Sequence, residues 1–281
     1  MKKNNKCILC KKNLLDIPYL VFNNINKKIN GKFEICFNCK IESKKNKVNI
    51  DNLYFKRETT NFNINNVLLL FLKSFFLKLY FLKVIGKINK NIRILDFGTG
   101  SGELANALFK QKYKKIFATD LANIRPLNLH NNIKYYSLKK LNKKKFDIVI
   151  ARHTLEHIKK INLTIDFLKK IIRKNGKLII EIPNFDSIWK KIMKSHWPGY
   201  FYPFHEYVFS KKSIQILLKN NQLKKYIIKK TNYPIFGNFF YSLKFNLKIS
   251  KLLSILFFPI QLLVSKIFRT SESIIIIINN E

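Results

Sequence analysis

The chain has 281 residues, of which 47% are hydrophobic, which is enough for the core of one full domain and a small second module. The 54 Lys and Arg against 16 Asp and Glu give a formal net charge of +38, which suggests nucleic acid or an anionic membrane as a partner. Because scattered lysines carry nearly all of this charge and nucleic-acid sites favour arginine, we expect non-specific binding to polyanions and no specific nucleic-acid site.

The first residues contain no apolar stretch of the kind found in signal peptides, which predicts a cytoplasmic protein. All the cysteines then follow in two C-x-x-C pairs, and short strands are expected around residues 19–22 and 32–35. Two such pairs suit one tetrahedral, structural Zn²⁺ site in a ribbon-like module, and two disulfides are the alternative. The predicted ligands are Cys7, Cys10, Cys36 and Cys39.

Residues 64–85 form a strongly apolar segment that is predicted to be helical. Lys73, Lys78 and Lys83 interrupt every side of that helix, since each residue turns it by about 100°. A membrane-spanning helix is therefore not expected. The segment could cover the sheet as a linker helix or lie at a membrane interface with its lysines snorkelling.

A glycine-rich loop follows. An apolar run ends at Asp96, and Gly98, Gly100 and Gly102 stand at alternate positions before a helix-forming stretch. This predicts a strand, a tight turn and a helix start, because glycine permits positive φ and close approach of a ligand. The dinucleotide fingerprint would require its third glycine at position 103, where the chain has Glu103.

Three further strands are predicted downstream. Lys115–Asp120 ends in an acid that can accept hydrogen bonds from ribose hydroxyls. Phe146–Ala151 is a continuous apolar run of the buried parallel kind and leads into Arg152–His157. Gly176–Asn184 is a similar run that ends in Pro-Asn.

These motifs, in this order over residues 91–184, closely resemble the class I S-adenosylmethionine (SAM) methyltransferases. The resemblance implies an α/β, Rossmann-like fold whose seven-stranded sheet has its last strand antiparallel, between the fifth and the sixth. A Rossmann-like domain that binds another ligand is the alternative.

The resemblance also implies a set of SAM-binding residues. The three loop glycines would let the backbone run close to the methionine moiety of SAM. Asp96 would hold the turn or contact the amino group of SAM through water. Asp120 would bind the ribose, and Leu121 would pack against the adenine. Ser137 stands where many members have an acid for the adenine amino group, so weaker SAM affinity is expected. The full set is Asp96, Gly98, Thr99, Gly100, Gly102, Asp120, Leu121, Ser137, Arg152 and His153.

A similar segment in the ubiquinone-pathway O-methyltransferases supplies metal ligands. His153, Glu156 and His157 match it in part, which leaves a second metal site or simple packing at a helix start as alternatives.

Residues 196–210 are dense in aromatic side chains and follow the predicted fifth strand, where the acceptor pocket of the family lies. His205 is the candidate general base, or it orients the loop by hydrogen bonding. Ser210 is expected to cap the helix that begins at Lys211. The rings could stack on a sugar or lipid-like acceptor, or they could pack in the core.

A sixth strand is predicted at about 225–231 and the last at Ser273–Ile278. Between them, residues 251–268 form an apolar block that Pro259 is expected to break or kink and that is too short to span a membrane comfortably. This block could be a dimer surface, an acceptor lid or a peripheral contact with the inner face of the membrane.

Over nearly its whole length the chain resembles bacterial methyltransferases of glycan assembly, which join a C-x-x-C ribbon to a methyltransferase domain. We therefore predict a zinc-ribbon module (1–50), a linker with an apolar helix (51–90) and a SAM-dependent methyltransferase domain (91–281) with an apolar insertion at about 247–270. The expected acceptor is a sugar, a nucleotide-sugar or a lipid-linked glycan. An RNA methyltransferase and a non-catalytic SAM-binding scaffold are the alternatives.

Overall fold

The computed structural model describes residues 5–46, 48 and 89–280. The apolar segment 64–85 lies outside the described residues, as does nearly all of the linker 51–90. The predicted domain boundaries therefore stay predictions.

A seven-stranded sheet forms the centre of the described chain. Its members are β6 (Arg93–Phe97), β7 (Lys115–Thr119), β8 (Lys134–Tyr135), β9 (Phe146–Arg152), β10 (Ile172–Pro183), β12 (Tyr226–Thr231) and β13 (Ser273–Asn279). The spatial order is β12-β13-β10-β9-β6-β7-β8. Neighbours from β8 to β10 pair in parallel, whereas β13 lies antiparallel between β10 and β12. The predicted α/β sheet and the place of its last strand are confirmed.

Helices connect these strands. They are α1 (Glu103–Lys110), α2 (Leu138–Leu141), α3 (Ile161–Ile171), α4 (Ile188–Met193), α5 (Lys211–Asn220), α6 (Phe236–Ser242) and α7 (Leu247–Ile267). Helix α5 begins as predicted, because the Ser210 side chain accepts a hydrogen bond from the Ser213 amide in a capping box. The central strands are buried on both faces, as their continuous apolar sequences require.

The N-terminal cysteine-containing residues form a second, smaller sheet. Its own strands are β1 (Leu15–Asp16), β4 (Phe33–Cys36) and β5 (Ile41–Lys44), while β2 (Val21–Phe22) pairs separately with β3 (Ile29–Gly31). The fourth strand of the sheet is β11 (Tyr207–Phe209), which comes from the aromatic segment and pairs antiparallel with β5. The two parts of the chain thus share one sheet.

Helix α7 corrects one expectation. It continues through Pro259, so of the expected break or kink the break does not occur. Proline removes one backbone donor, and buried contacts on both sides of it, at Phe258 and Gln261, hold the helix together. Among the described residues, α7 is also the helix whose length and composition would allow it to cross a membrane.

Candidate active site

The glycine loop joins β6 to α1 at the carboxyl edge of the sheet. Gly98, Gly100 and Gly102 all have positive φ, at 78°, 52° and 82°. A Cβ on Gly98 would lie 2.3 Å from Thr154 Cγ2, whereas a Cβ on Gly100 would meet nothing within 4 Å. The first glycine is therefore required for packing inside the protein. The second leaves open space beside the backbone, which a ligand can fill.

Asp96 lies at the base of this loop and is buried. Its Oδ2 accepts hydrogen bonds from Thr99 Oγ1 at 2.7 Å and from the Ala105 amide at 3.2 Å. Burial raises the pKa of Asp96 to about 7, although both hydrogen bonds oppose that shift. The side chain fixes the turn, and its ionisation responds to any cation placed nearby.

Asp120 follows β7 and reaches the same loop. Its Oδ2 accepts a hydrogen bond from the Gly100 amide at 2.8 Å, and its Oδ1 accepts one from the Ala122 amide at 3.3 Å. Leu121 is exposed next to it. Ser137 stands immediately before α2. The structure thus brings the predicted ribose acid to the open glycine.

The residues at the end of β9 meet a carboxylate that sequence reasoning missed. Arg152 Nε donates a hydrogen bond to Glu181 Oε2 at 2.9 Å, and the His153 amide donates one to the Glu181 carbonyl at 2.8 Å. His153 has φ 49° and lies with Nε2 3.7 Å from Glu181 Oε1 and Nδ1 3.4 Å from Glu156 Oε1. The signal that could have revealed Glu181 is a single acid inside the apolar run of β10.

A second cluster lies one turn further along the chain. Ligand atoms of Glu156, His157 and His205 lie within 4.8 Å of one another, a donor set that could hold a metal ion. Both carboxylate oxygens of Glu156 are buried and accept no hydrogen bond from the described residues. His205 thus joins the predicted Glu156–His157 pair, and the metal site itself stays a prediction.

His205 is buried, and its Nδ1 lies 2.8 Å from the Gly199 carbonyl while its Nε2 faces Glu156 Oε1 at 3.9 Å. The sequence left two roles open for His205, general base or orientation of the loop, and these contacts fit the second.

The aromatic segment around His205 packs mainly in the core. Trp197, Tyr200, Tyr202 and Phe204 are all buried. Most of its rings therefore serve core packing rather than stacking on an acceptor. Phe201, like Tyr207, is partly exposed, and it has φ 35°, a strained backbone for a bulky residue.

The predicted zinc ligands converge. The four sulfurs of Cys7, Cys10, Cys36 and Cys39 lie within 4.8 Å of one another, and Cys10 Sγ is 3.6 Å from Cys36 Sγ. Zinc–thiolate bonds of about 2.3 Å in a tetrahedron place sulfurs roughly 3.8 Å apart. The donor set and its spacing therefore fit a zinc ion, and all four cysteines are unbridged.

A family profile described as a methyltransferase domain matches residues 72–226. The chain belongs to this family. The match spans the glycine loop, Asp120 and the His153–Glu181 contacts, so the family assignment and the geometry fall on the same residues.

Similar proteins agree with that assignment. The ubiquinone biosynthesis O-methyltransferase of Pelagibacter ubique (strain HTCC1062) is 26% identical over 180 residues, which cover 58% of this chain and 75% of that protein. A SAM-dependent methyltransferase from Thermotoga maritima superposes with a TM-score of 0.52 at 14% identity, covering 82% of this chain and 99% of its own. One from Archaeoglobus fulgidus gives a TM-score of 0.51 at 17% identity, covering 76% and 100%. The two structures show the fold.

Proposed function

We propose that this methyltransferase transfers the methyl group of SAM to a hydroxyl of a small-molecule acceptor, and that the acceptor is a sugar, a nucleotide-sugar or a lipid-linked glycan. The observation that carries the SAM site is the open space at Gly100 beside the Asp120 carboxylate. The similarity to an O-methyltransferase supports a hydroxyl acceptor. The resemblance to methyltransferases of glycan assembly, which join a C-x-x-C ribbon to a methyltransferase domain, supports a glycan as the acceptor.

The reaction forms an O–C bond and breaks an S–C bond, with the electron pair passing to sulfur and the hydroxyl proton passing to a base. SAM, when bound, supplies the methyl group on a sulfonium, which is already a strong electrophile. The protein's main task is then in-line alignment, which can contribute about 7–11 kcal/mol. A general base adds about 10²–10⁴-fold.

His153 is better placed than His205 to be that base. His153 is partly exposed directly after β9, whereas His205 is buried against Gly199. Glu156 lies 3.4 Å from His153 Nδ1 and would stabilise the imidazolium that forms on proton uptake. His153→Asn should then lower kcat by about 10²–10⁴-fold, which is the usual contribution of a general base. His205→Asn should keep most of kcat, and the opposite pattern would restore His205 as the base.

A groove beside this cluster could receive the acceptor. Its lining includes Phe22, His196, Phe201 and Asn238. The Phe201 ring centroid is 6.5 Å from that of His157, so the groove adjoins the histidine cluster. Aromatic faces mixed with amide and imidazole groups suit a ligand that presents both CH faces and hydroxyls.

We also propose that the four cysteines hold one structural zinc ion. With four thiolates the site has no open position for catalysis. The short N-terminal strands bury little surface of their own, so metal binding would supply much of their folding free energy.

Calorimetric titration of SAM tests the cofactor site. Wild type should bind, and Asp120→Ala should lose most of the affinity, because it removes both the ribose acid and the acceptor of the Gly100 amide. Asp166→Ala, which changes an exposed acid on α3, is the matched control and should bind normally. A folded wild type that binds no SAM would refute the proposal.

Methyl transfer from labelled SAM tests the acceptor. Nucleotide-sugars and lipid-linked glycans are offered in parallel with total RNA, and the product is analysed for O-methyl groups. Label on a glycan hydroxyl supports the proposal. Salt-sensitive transfer to particular RNAs would replace it, and SAM binding without transfer to any cell extract would favour a scaffold.

A further inference from the structure

Helix α7 presents its polar side chains to the protein and its apolar side chains to the outside. Gln261 donates to the Tyr233 carbonyl at 2.8 Å and accepts from the Ile235 amide at 3.2 Å. Ser265 Oγ accepts from Trp189 Nε1 at 3.2 Å. Both polar side chains are buried, so the inward face of the helix is used for specific hydrogen bonds.

The outward face is apolar over most of its length. Leu256 and Leu263 are each 59% exposed and Ile267 is 64% exposed. Their large exposed neighbours in and beside the helix are Tyr241, Leu243, Phe245, Leu247, Ile249, Leu252, Ile255, Ile260, Leu262 and Phe268. A contiguous apolar surface of this kind marks an interaction site.

All the charged residues in the segment 232–271, which carries this surface, are positive. Lys244, Lys248 and Lys251 stand at the start of α7, and Lys266 and Arg269 stand at its end, with no charged residue between 252 and 265. No Asp or Glu occurs anywhere from residue 207 to residue 271. An apolar strip with basic ends complements a bilayer surface that carries anionic headgroups.

The sheet topology excludes a single membrane crossing by α7. The flanking strands β12 and β13 are neighbours, with Thr231 opposite Ser273. Both ends of the segment between them therefore return to one edge of one sheet. A helix held in this way can lie along an interface but cannot place its two ends on opposite sides of a bilayer.

We propose that α7, with the α6–α7 turn, docks the enzyme flat on an anionic membrane surface, with the lysines contacting headgroups and the leucines and isoleucines entering the acyl boundary. Tyr233, whose carbonyl accepts from Gln261, packs its ring 5.2 Å from that of His153. The docked helix is thus joined directly to the candidate active site. The docking inference does not depend on the identity of the acceptor.

Vesicle co-sedimentation tests this inference with the full chain. Vesicles of phosphatidylcholine alone and of phosphatidylcholine with phosphatidylglycerol are compared at low salt and at about 1 M salt, where the Debye length is about 3 Å. The net charge alone would give binding that disappears at high salt. Insertion of α7 should leave residual binding to the anionic vesicles, and Leu256→Glu with Leu263→Glu should reduce it at least about tenfold.

The matched control is Leu163→Glu, which adds the same single charge as Leu256→Glu alone, at a leucine that is 65% exposed on α3. It should bind vesicles like wild type. SAM binding by every variant verifies that the fold is intact. The proposal would be overturned if Leu163→Glu lost as much vesicle binding as the α7 variant, or if the α7 variant bound anionic vesicles at high salt as well as wild type.

A tryptophan probe distinguishes the other occupants of this face. After the wild-type emission of Trp189 and Trp197 is subtracted, Leu256→Trp should emit as an exposed indole in solution and shift to the blue on addition of anionic vesicles. An indole that is already shielded without vesicles would overturn the proposal. Light scattering would then show whether a second copy covers the face or, in a monomer, the chain's own segment 64–85.

Discussion

Two alanine substitutions in the glycine loop should differ in their main effect, which is on stability at Gly98 and on SAM binding at Gly100. Gly98→Ala forces a Cβ to within 2.3 Å of Thr154 Cγ2 and 2.4 Å of its Oγ1 at φ 78°. The positive φ costs about 1–2 kcal/mol and the overlap about 1–3 kcal/mol. The free energy of unfolding should therefore fall by about 3 kcal/mol, or about 6–12 °C in Tm for a chain of this size.

Gly100→Ala has the same kind of backbone conformation, at φ 52°, and no neighbour within 4 Å. It should cost only about 1–2 kcal/mol of stability. Its Cβ would occupy the space assigned to the cofactor, so SAM affinity should fall at least about tenfold in titration. Thr154→Ala should rescue part of the Gly98→Ala defect and none of the Gly100→Ala defect.

Thermal unfolding and SAM titration of the same preparations separate the two effects. A Gly100→Ala variant that binds SAM like wild type would refute the assignment of that space to the cofactor. An undisturbed Tm for Gly98→Ala would refute the packing argument at Thr154.

Three further outcomes are expected. Burial holds the pKa of Asp96 at about 7, and cationic SAM favours the carboxylate, so SAM affinity should rise with pH up to about 7 and then level off. In titrations from pH 5.5 to 8.5, Asp96→Asn should flatten this pH dependence. Metal analysis should find one zinc per chain. Cys36→Ser or a strong chelator should lower the Tm together with the zinc content. A zinc-free preparation with an unchanged Tm would contradict the zinc site. Burial raises the pKa of Glu272 from its usual 4.5 to about 7, so the folded state holds this proton more tightly and the group lowers stability as pH rises from 4.5 to 7. In denaturant titrations, the free energy of unfolding of Glu272→Gln should rise relative to wild type by up to about 3 kcal/mol between pH 5 and pH 8. A difference between the two proteins that does not change with pH would contradict this cause.

The central sheet was readable from the sequence because its signals are local. Each buried parallel strand is a continuous apolar run, and Asp96 and Asp120 mark strand ends within a few residues of their turns. Paired parallel strands then bring those ends to one edge. The glycine loop and its meeting with Asp120 follow from the same local pattern.

Other features depend on contacts that are distant in the chain. Strand β11 has only three residues and forms by pairing with β5, across more than 150 positions. His205 joins Glu156 and His157 from a different loop. The continuity of α7 through Pro259 depends on buried contacts that no propensity reports. These tertiary contacts override the local signals on which sequence reasoning relies.

The pairing of β5 with β11 gives the N-terminal residues a place in the site. Buried Lys190 on α4 contacts Glu42 on β5 at 2.8 Å, and Lys44 contacts Glu206 at 2.7 Å. Buried ion pairs contribute little net stability, but they penalise a shifted register, since a shift would leave a charge unpaired. The Glu206 amide in turn donates to the Glu156 carbonyl at 2.7 Å. The sheet that begins at the cysteines therefore ends against the backbone of the buried Glu156, whose carboxylate faces His153.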